Sequence, residues 1–102
     1  MPYFALIYEV VPDMAERRTP YRPDHLRLAR ESQQRGELVM AGALGEPPGA
    51  LLVFRAADKS VAEDFATGDP YVTGGLVMKW TVRPWVVVVG QDPAETPPRL
   101  PT

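Results

Sequence analysis

The chain contains no cysteine and a single histidine among its 102 residues. Without thiols it can form no disulfide, thiolate nucleophile, zinc–sulfur site or iron–sulfur cluster. One histidine also excludes a metal site built from several histidines of the same chain. The sequence has no phosphate-binding glycine loop and no serine in a nucleophile-elbow context. We therefore expect no flavin, nicotinamide, metal or other cofactor.

Excess charge and long apolar runs are also missing. The net charge is only -2, so the chain lacks the basic surface of a nucleic-acid or membrane-surface binder. The arginines between residues 17 and 35 alternate with acidic residues, which is typical of a solvated helix face. No stretch approaches the roughly 20 apolar residues of a membrane span, and the N-terminus lacks the features of a signal peptide. These observations predict a cytoplasmic protein without nucleic-acid or membrane partners.

What the chain does have is a regular succession of strand and helix signals. The predicted strands are Tyr3–Val11, Leu38–Leu44, Ala50–Ala56 and a last strand after Gly74-Gly75, and the predicted helices are Pro23–Arg35 and Ser60–Gly68. The order βαββαβ predicts a ferredoxin-like α+β fold, in which an antiparallel sheet carries its helices on one face. One domain is expected over residues 1–90, followed by a proline-rich tail over residues 91–102.

Three local patterns refine this prediction. Residues 13–21 are polar and are expected to form a loop. The segment Ser60-Val-Ala-Glu63 matches a capping box at the start of the second helix. In the last strand Leu76, Met78, Trp80 and Val82 alternate with more polar residues, which predicts that these four side chains share the buried face.

An apolar run at the end of the last strand predicts self-association. Trp85 to Val89 is apolar at every position. A sheet with helices on one face cannot bury both sides of such a run, whereas a second subunit could. We therefore expect a homodimer that forms through the apolar sheet face and Trp85–Val89.

Several segments resemble the YciI-like (YCII-related) family. They are Tyr3-Phe-Ala-Leu-Ile-Tyr8, Arg22-Pro-Asp-His25, Gly36-Glu-Leu-Val-Met-Ala-Gly42, Asp69-Pro-Tyr71 and Val82-Arg-Pro-Trp85, in the family's order and with compatible spacing. The resemblance covers nearly the whole chain except the tail. It implies a ferredoxin-like fold that pairs sheet to sheet as a dimeric α+β barrel. The family often has Ala-Gly-Pro where this chain has Ala41-Gly42-Ala43, a change expected to lie at a pocket wall.

The resemblance also implies an active site formed by His25 and Asp69. His25 begins the least polar stripe of the first helix, which points it toward the sheet. Histidine moves protons near neutral pH, and a carboxylate that holds one ring nitrogen would orient the other toward a substrate. Asp69 directly follows the second helix and is held by Pro70. A purely structural pair is the alternative.

Two further residues are candidates for substrate binding. Arg22 precedes the first helix and could bind a substrate carboxylate or enolate, or else form a surface ion pair. The Tyr8 hydroxyl could reach the same cavity, or Tyr8 could be a core tyrosine whose hydroxyl is satisfied by the protein.

Together these residues predict a small cofactor-independent enzyme of the lyase or isomerase type, dehydrochlorinase-like by resemblance. His25 and Asp69 would provide acid–base chemistry, and Arg22 with Tyr8 would stabilise an oxyanion. These residues are suited to the elimination, isomerisation or cyclisation of a small ring-bearing enol or ketone. The alternatives are a non-catalytic dimeric protein that binds a small ligand and a cofactor-free oxygenase of the same fold. The sequence leaves the substrate's identity open.

Overall fold

A four-stranded antiparallel sheet forms the frame of the protein. The computed structural model describes residues 1–90, and the predicted proline-rich tail, residues 91–102, lies outside the described residues. The strands are β1 (Tyr3–Val10), β2 (Leu38–Leu44), β3 (Gly49–Arg55) and β4 (Val77–Trp85). They lie in the order β2-β3-β1-β4, so β1 is central and β4, which contains Pro84, is an edge strand. Proline is tolerated on an edge strand, because one side of such a strand has no neighbour to which an N–H would donate.

Four helices join the strands: α1 (Met14–Arg17), α2 (Arg22–Gln34), α3 (Ser60–Gly68) and α4 (Pro70–Thr73). The predicted α+β class is confirmed, with α2 and α3 as the two main helices. The prediction of a loop over residues 13–21 is wrong, because α1 forms one helical turn there. The Arg18 N–H donates to the Met14 carbonyl at 2.9 Å and the Met14 side chain packs against the core. A single turn is too short to display a helical period in the sequence.

The core lies between the helices and one face of the sheet. On β1 the side chains that face the helices, Phe4, Leu6, Tyr8 and Val10, are all buried. Leu52 and Phe54 lie beside them on β3, and Phe65 of α3 packs on Phe54 with 5.3 Å between ring centroids. No helix within residues 1–90 is both long and apolar enough to cross a membrane.

The start of α3 differs from the predicted capping box. Ser60 is the first residue of the helix, and the preceding Lys59 makes no side-chain cap. The Asp58 carboxylate instead accepts hydrogen bonds from both the N–H and the hydroxyl of Ser60. These bonds lower the pKa of Asp58. An ionised carboxylate is a stronger acceptor than a hydroxyl, so Asp58 and not Ser60 provides the side-chain acceptor in this turn.

The last strand alternates as predicted except at Met78. Trp80 and Val82 pack against the core, whereas Met78 is 62% exposed. The register pairs Glu9 with Lys79 and Val10 with Val77, so Met78 falls at an irregularity and has no residue opposite it on β1. A local bulge of this kind changes the direction of side chains, and the alternation of apolar and polar residues in the sequence does not reveal it.

The face of the sheet away from the helices is called here the open face. Residues paired across the strands share a face, so the open face includes Ile7, Leu51, Met40, Leu44 and Trp85. Met40, Leu44 and Trp85 are among the exposed large apolar residues. Within residues 1–90 no helix lies on this face.

Gly49, where the chain returns from the β2–β3 turn, is held against the central strand. It pairs with Glu9, and a Cβ atom at this position would lie 2.5 Å from the Tyr8 carbonyl oxygen. Backbone cannot swing aside as a flexible side chain can, so only glycine fits without displacing β1 or β3.

We predict that Gly49→Ala lowers the free energy of unfolding by about 1–3 kcal/mol, because the added methyl group overpacks against the β1 backbone. Gly68→Ala is the matched control, since a Cβ there meets nothing within 4 Å. Denaturant unfolding of both variants measures the difference. Equal unfolding midpoints for Gly49→Ala and wild type would contradict the close approach of these strands.

Candidate active site

Asp69 is the single residue between helices α3 and α4. Helix α3 ends at Gly68, and Pro70 restricts the residue before it to extended backbone, as the Asp69 torsions of φ -73° and ψ 125° show. Pro70 then begins α4, a position at which its missing N–H costs nothing. Aspartate is a favoured cap for such a start, and its carboxylate accepts the Tyr71 N–H at 3.0 Å. The local sequence thus fixes the backbone that aims this side chain.

The Asp69 carboxylate is fully buried and receives hydrogen bonds from three different elements. Its Oδ1 accepts from Tyr71 N of α4 and from His25 Nδ1 of α2, the latter at 2.8 Å. Its Oδ2 accepts from the Tyr8 hydroxyl of β1 at 2.7 Å. A buried carboxylate is costly unless its oxygens are satisfied, and these donors meet that need.

The bond to Asp69 determines which nitrogen of His25 is available for chemistry. An ionised carboxylate only accepts hydrogen bonds, so Nδ1 of His25 must carry the hydrogen. Nε2 makes no hydrogen bond with any atom of residues 1–90. The His25 side chain retains 14% exposure and lines a cavity. In the neutral form of the ring, Nε2 is therefore the acceptor that faces a molecule in that cavity.

Two aromatic rings hold the imidazole in place. The Tyr71 ring stacks on it with 3.8 Å between centroids and 10° between planes. Phe65 meets it edge to face at 6.5 Å and 79°. Phe65 and Tyr71 come from α3 and α4, on either side of Asp69, so one short segment supplies both the carboxylate and the rings. Packing on several sides locks the ring's rotamer and preorganises it.

The Tyr8 hydroxyl is directed at Asp69. It is 1% exposed, and its hydrogen is engaged by Oδ2, so it has no proton to donate to a substrate. Burial raises the pKa of Tyr8 far above its ordinary value, and the charge of Asp69 and the hydrogen bond to it add to the effect. Tyr8 therefore stays a neutral donor to the carboxylate, while other atoms of the residue line the cavity.

The cavity beside His25 has a volume of about 380 Å³. Its polar lining residues include Arg18, Arg22, His25 and Tyr71, and its apolar lining residues include Leu26, Leu44, Val10 and Pro48. Ala41, Gly42 and Ala43 also line it, at the position where the sequence departs from the family pattern. A volume at the low end of the range for small-molecule sites suits a ligand with a single ring.

The structure brings His25, Asp69 and Tyr8 into one hydrogen-bonded cluster and places Arg22 at the cavity that His25 lines. Sequence reasoning missed two residues of this site. Arg18 lies in the segment for which the sequence predicts a polar loop, although it precedes Arg22 by four residues and His25 by seven, which is the spacing of one helical face. Tyr71 is not among the candidate site residues of the sequence, and its stacking on the imidazole has no local signal there.

Charge at this site is unevenly distributed. Burial raises the pKa of the Tyr71 hydroxyl above its ordinary value; Arg18 and Arg22 oppose that rise, and Asp69 adds to it. Neither arginine makes an ion pair with any of residues 1–90. No group of three or more His, Asp or Glu side chains in that part of the chain is placed to hold a metal ion. The arrangement can accept a proton at Nε2 and attract a small anion.

Sheet order, helix placement and a His–Asp pair beside a small cavity define a ferredoxin-like α+β protein with a candidate acid–base site. The chain belongs to the YCII-related domain family, whose match spans residues 1–86. This confirms the family resemblance of the sequence. A comparison with proteins of curated function finds no significant match.

A solved structure shares the fold. It is the 5-chloro-2-hydroxyhydroquinone dehydrochlorinase TftG from Burkholderia phenoliruptrix AC1100, in complex with 2,5-dihydroxybenzoquinone. The two chains superpose with a TM-score of 0.67 and 17% sequence identity, over 81% of this chain and 92% of that one. At this identity the likeness establishes the common fold and nothing about the substrate of this chain.

We predict that Tyr8→Phe destabilises the protein by about 1.5–3 kcal/mol at neutral pH, because Asp69 loses a buried donor. Above pH 10.0, the ordinary pKa of tyrosine, the unfolded wild type ionises Tyr8 while the folded protein keeps it neutral. The stabilising contribution of Tyr8 is therefore complete below that pH. It falls by about 1.4 kcal/mol per pH unit above it.

The stability difference between wild type and Tyr8→Phe should consequently shrink as the pH rises from about 8 to about 11. Denaturant unfolding of both proteins across this range measures the difference. A difference that stays constant would show that the Tyr8 hydroxyl is not a buried neutral donor.

Proposed function

We propose that this protein is a small cofactor-independent enzyme that uses His25 and Asp69 for acid–base chemistry on a small ring-bearing enol or ketone. The observation that carries the proposal is the 2.8 Å bond between Asp69 Oδ1 and His25 Nδ1, with the same imidazole lining a cavity. Elimination, isomerisation and cyclisation all require a proton to move and a negative oxygen to be stabilised. Family membership and the fold shared with a dehydrochlorinase agree with this class.

In the proposed reaction Nε2 of His25 removes an acidic proton from the substrate. The electron pair of the broken bond passes into the ring system as an enolate, and the imidazole becomes an imidazolium. The buried Asp69 carboxylate, bonded to Nδ1, stabilises that positive charge and keeps the ring oriented. Because the carboxylate is shielded from water, the attraction is stronger than it would be at the surface. In the second half of the reaction His25 returns the proton to substrate or solvent.

Arg22 is proposed to stabilise the oxyanion. It lines the cavity, has no ion-pair partner among residues 1–90 and lies one helical turn before His25. A guanidinium presents several donors in one plane, which suits a carboxylate or enolate oxygen. Tyr8 is proposed to contact the substrate through its cavity-lining atoms and to position Asp69 through its hydroxyl.

An elimination provides the most direct test reaction. In 5-chloro-2-hydroxyhydroquinone, which the TftG enzyme acts on, loss of a proton and a chloride ion leaves a hydroxybenzoquinone. One hydroxyl proton first shifts to the chlorine-bearing carbon, which gives a keto tautomer. A second hydroxyl proton then goes to the base and chloride departs with its bonding electron pair, so no oxidant or reductant is consumed. This compound is a probe for the reaction class and not an assigned substrate.

We predict that His25→Ala lowers kcat of chloride release from this probe by about 100- to 10,000-fold, the usual contribution of a general base. Asp69→Asn should also lower kcat, because a neutral amide cannot stabilise the positive charge that forms on His25 during the reaction. The control is Asp24→Asn, which changes an exposed carboxylate on the same helix as His25. Chloride release and ultraviolet absorbance measure turnover.

Added imidazole should partly restore turnover to His25→Ala, which a merely destabilised variant would not show. Turnover within a few-fold of wild type in His25→Ala would reject the mechanism. Oxygen uptake during turnover would favour the cofactor-free oxygenase. Tight binding with unchanged ligand and no pH-dependent turnover would favour the non-catalytic binding protein.

We further propose that the protein works as a homodimer in which the open faces of two sheets pack together as an α+β barrel. Support comes from Met40, which is 65% exposed, and Trp85, which is 46% exposed, both on this face. Val88 and Val89 extend the exposed apolar surface beyond β4. Patches of this kind in soluble proteins commonly mark association surfaces.

Light scattering at micromolar concentration should therefore give a mass near twice the 11.3 kDa of one chain. Met40→Lys should shift the protein to monomer, because a charge would be buried at the interface. Met78→Lys is the control, since Met78 is equally apolar and exposed but lies outside the strand pairs that build the open face. A monomeric wild type would overturn the dimer proposal.

A further inference from the structure

Two arginines, Arg18 and Arg22, lie on the same helical face as His25. Arg18, Arg22 and His25 are spaced i, i+4 and i+7. The Arg22 N–H donates to the Arg18 carbonyl at 2.9 Å and the His25 N–H donates to the Tyr21 carbonyl at 3.0 Å. These bonds continue the helical geometry from the end of α1 into α2, so the three side chains project to the same side. All three line the cavity.

Arg18 differs from Arg17 and Arg27, two arginines on the solvated side of these helices. Arg17 and Arg27 each have a carboxylate within 4 Å, at 3.6 Å from Asp13 and 3.5 Å from Asp24 respectively. Arg18 is only partly exposed, yet it pairs with no acidic residue of the described chain. A cation that loses part of its hydration without gaining a partner is stabilised when an anion enters beside it.

Tyr71 is a common neighbour of the imidazole and of the two arginines. Its ring stacks on the imidazole. Tyr71, Arg18, Arg22 and His25 all line the cavity. Burial raises the pKa of the Tyr71 hydroxyl, and the charges of both arginines oppose that rise. Apolar side chains such as Leu26 and Val10 line other walls of the cavity. The site thus combines a cationic end, an apolar wall and a base.

We infer that Arg18 is a second anion-binding residue of this site and that, with Arg22, it selects a single-ring ligand that carries an ionised oxygen. The inference rests on the proposed function for the use of the site, but it concerns binding and not turnover. A neutral ring would leave both guanidinium groups without a partner. An enolate, phenolate or carboxylate would bridge them while its ring lies against the apolar wall.

The test compares binding of 2,5-dihydroxybenzoquinone, an acidic ring compound, with its neutral dimethyl ether, 2,5-dimethoxybenzoquinone, by isothermal titration calorimetry at neutral pH. Wild type should bind the acidic compound at least about 10-fold more tightly. Arg18→Gln and Arg22→Gln should each weaken that binding by roughly 10- to 100-fold and leave the affinity for the ether unchanged. Arg18→Lys, which keeps the charge, should recover part of the loss.

Arg27→Gln is the matched control, because Arg27 lies on α2 but points to carboxylates at the surface. Thermal unfolding of each variant verifies that the fold is retained. If Arg18→Gln binds the acidic compound as tightly as wild type does, Arg18 is not a ligand-binding residue. If wild type binds neither compound, or binds both equally, the proposed ligand class is wrong.

His25→Ala separates this inference from the proposed function. It should abolish turnover of the chlorinated probe and keep the preference for the acidic ring, since the arginines remain. Unchanged turnover in His25→Ala, together with a loss of affinity in Arg18→Gln, would reject the acid–base mechanism and leave the anion site standing. The reverse pattern would reject the anion site alone.

Discussion

A carboxylate without access to water has to be hydrogen-bonded on both oxygens, and the site follows from how this chain meets that requirement at Asp69. The donors come from β1, α2 and α4, so the same contacts that orient the imidazole also tie the central strand to helices α2 and α4. The structural and the chemical roles of the pair are therefore not competing explanations. A change that disturbs one contact alters stability and the geometry of His25 together.

Much of the fold could be predicted because it is encoded locally. Leu38–Leu44 is a strand with the predicted limits, and the 13-residue helix α2 lies within one residue of its predicted ends. Strong periodicity and flanking glycine or proline residues mark these elements. The errors fall where a local pattern is short or where two equivalent signals compete. Helix α1 is one turn long, and at the start of α3 hydrogen bonds from Ser60 to Asp58 replace the predicted capping box.

The candidate site was only partly predictable for a different reason. His25 and Asp69 stand out by type and by family motif, but they are 44 residues apart, and Tyr8 is 61 residues from Asp69. No spacing rule links the Tyr8 hydroxyl to that carboxylate, because the register of β1 and the end of α3 decide it. Arg18 was hard to predict as a site residue because its residue type carries no distinguishing signal. Its residue type is the same as that of its solvated neighbour Arg17, and only its helical phase distinguishes the two.

The residues that line the cavity form two groups, which differ in how strongly the rest of the structure constrains them. Around His25 and Asp69 each side chain is constrained by buried hydrogen bonds or ring contacts. The segment of the cavity lining from Ala41 to Pro48 belongs to the β2–β3 hairpin and contributes no atom to those bonds. Mutations or insertions in this segment can therefore reshape the cavity without disturbing His25, Asp69 and Tyr8. During evolution, this division would let related proteins acquire new ligands by remodelling one exposed hairpin while they inherit the same chemistry.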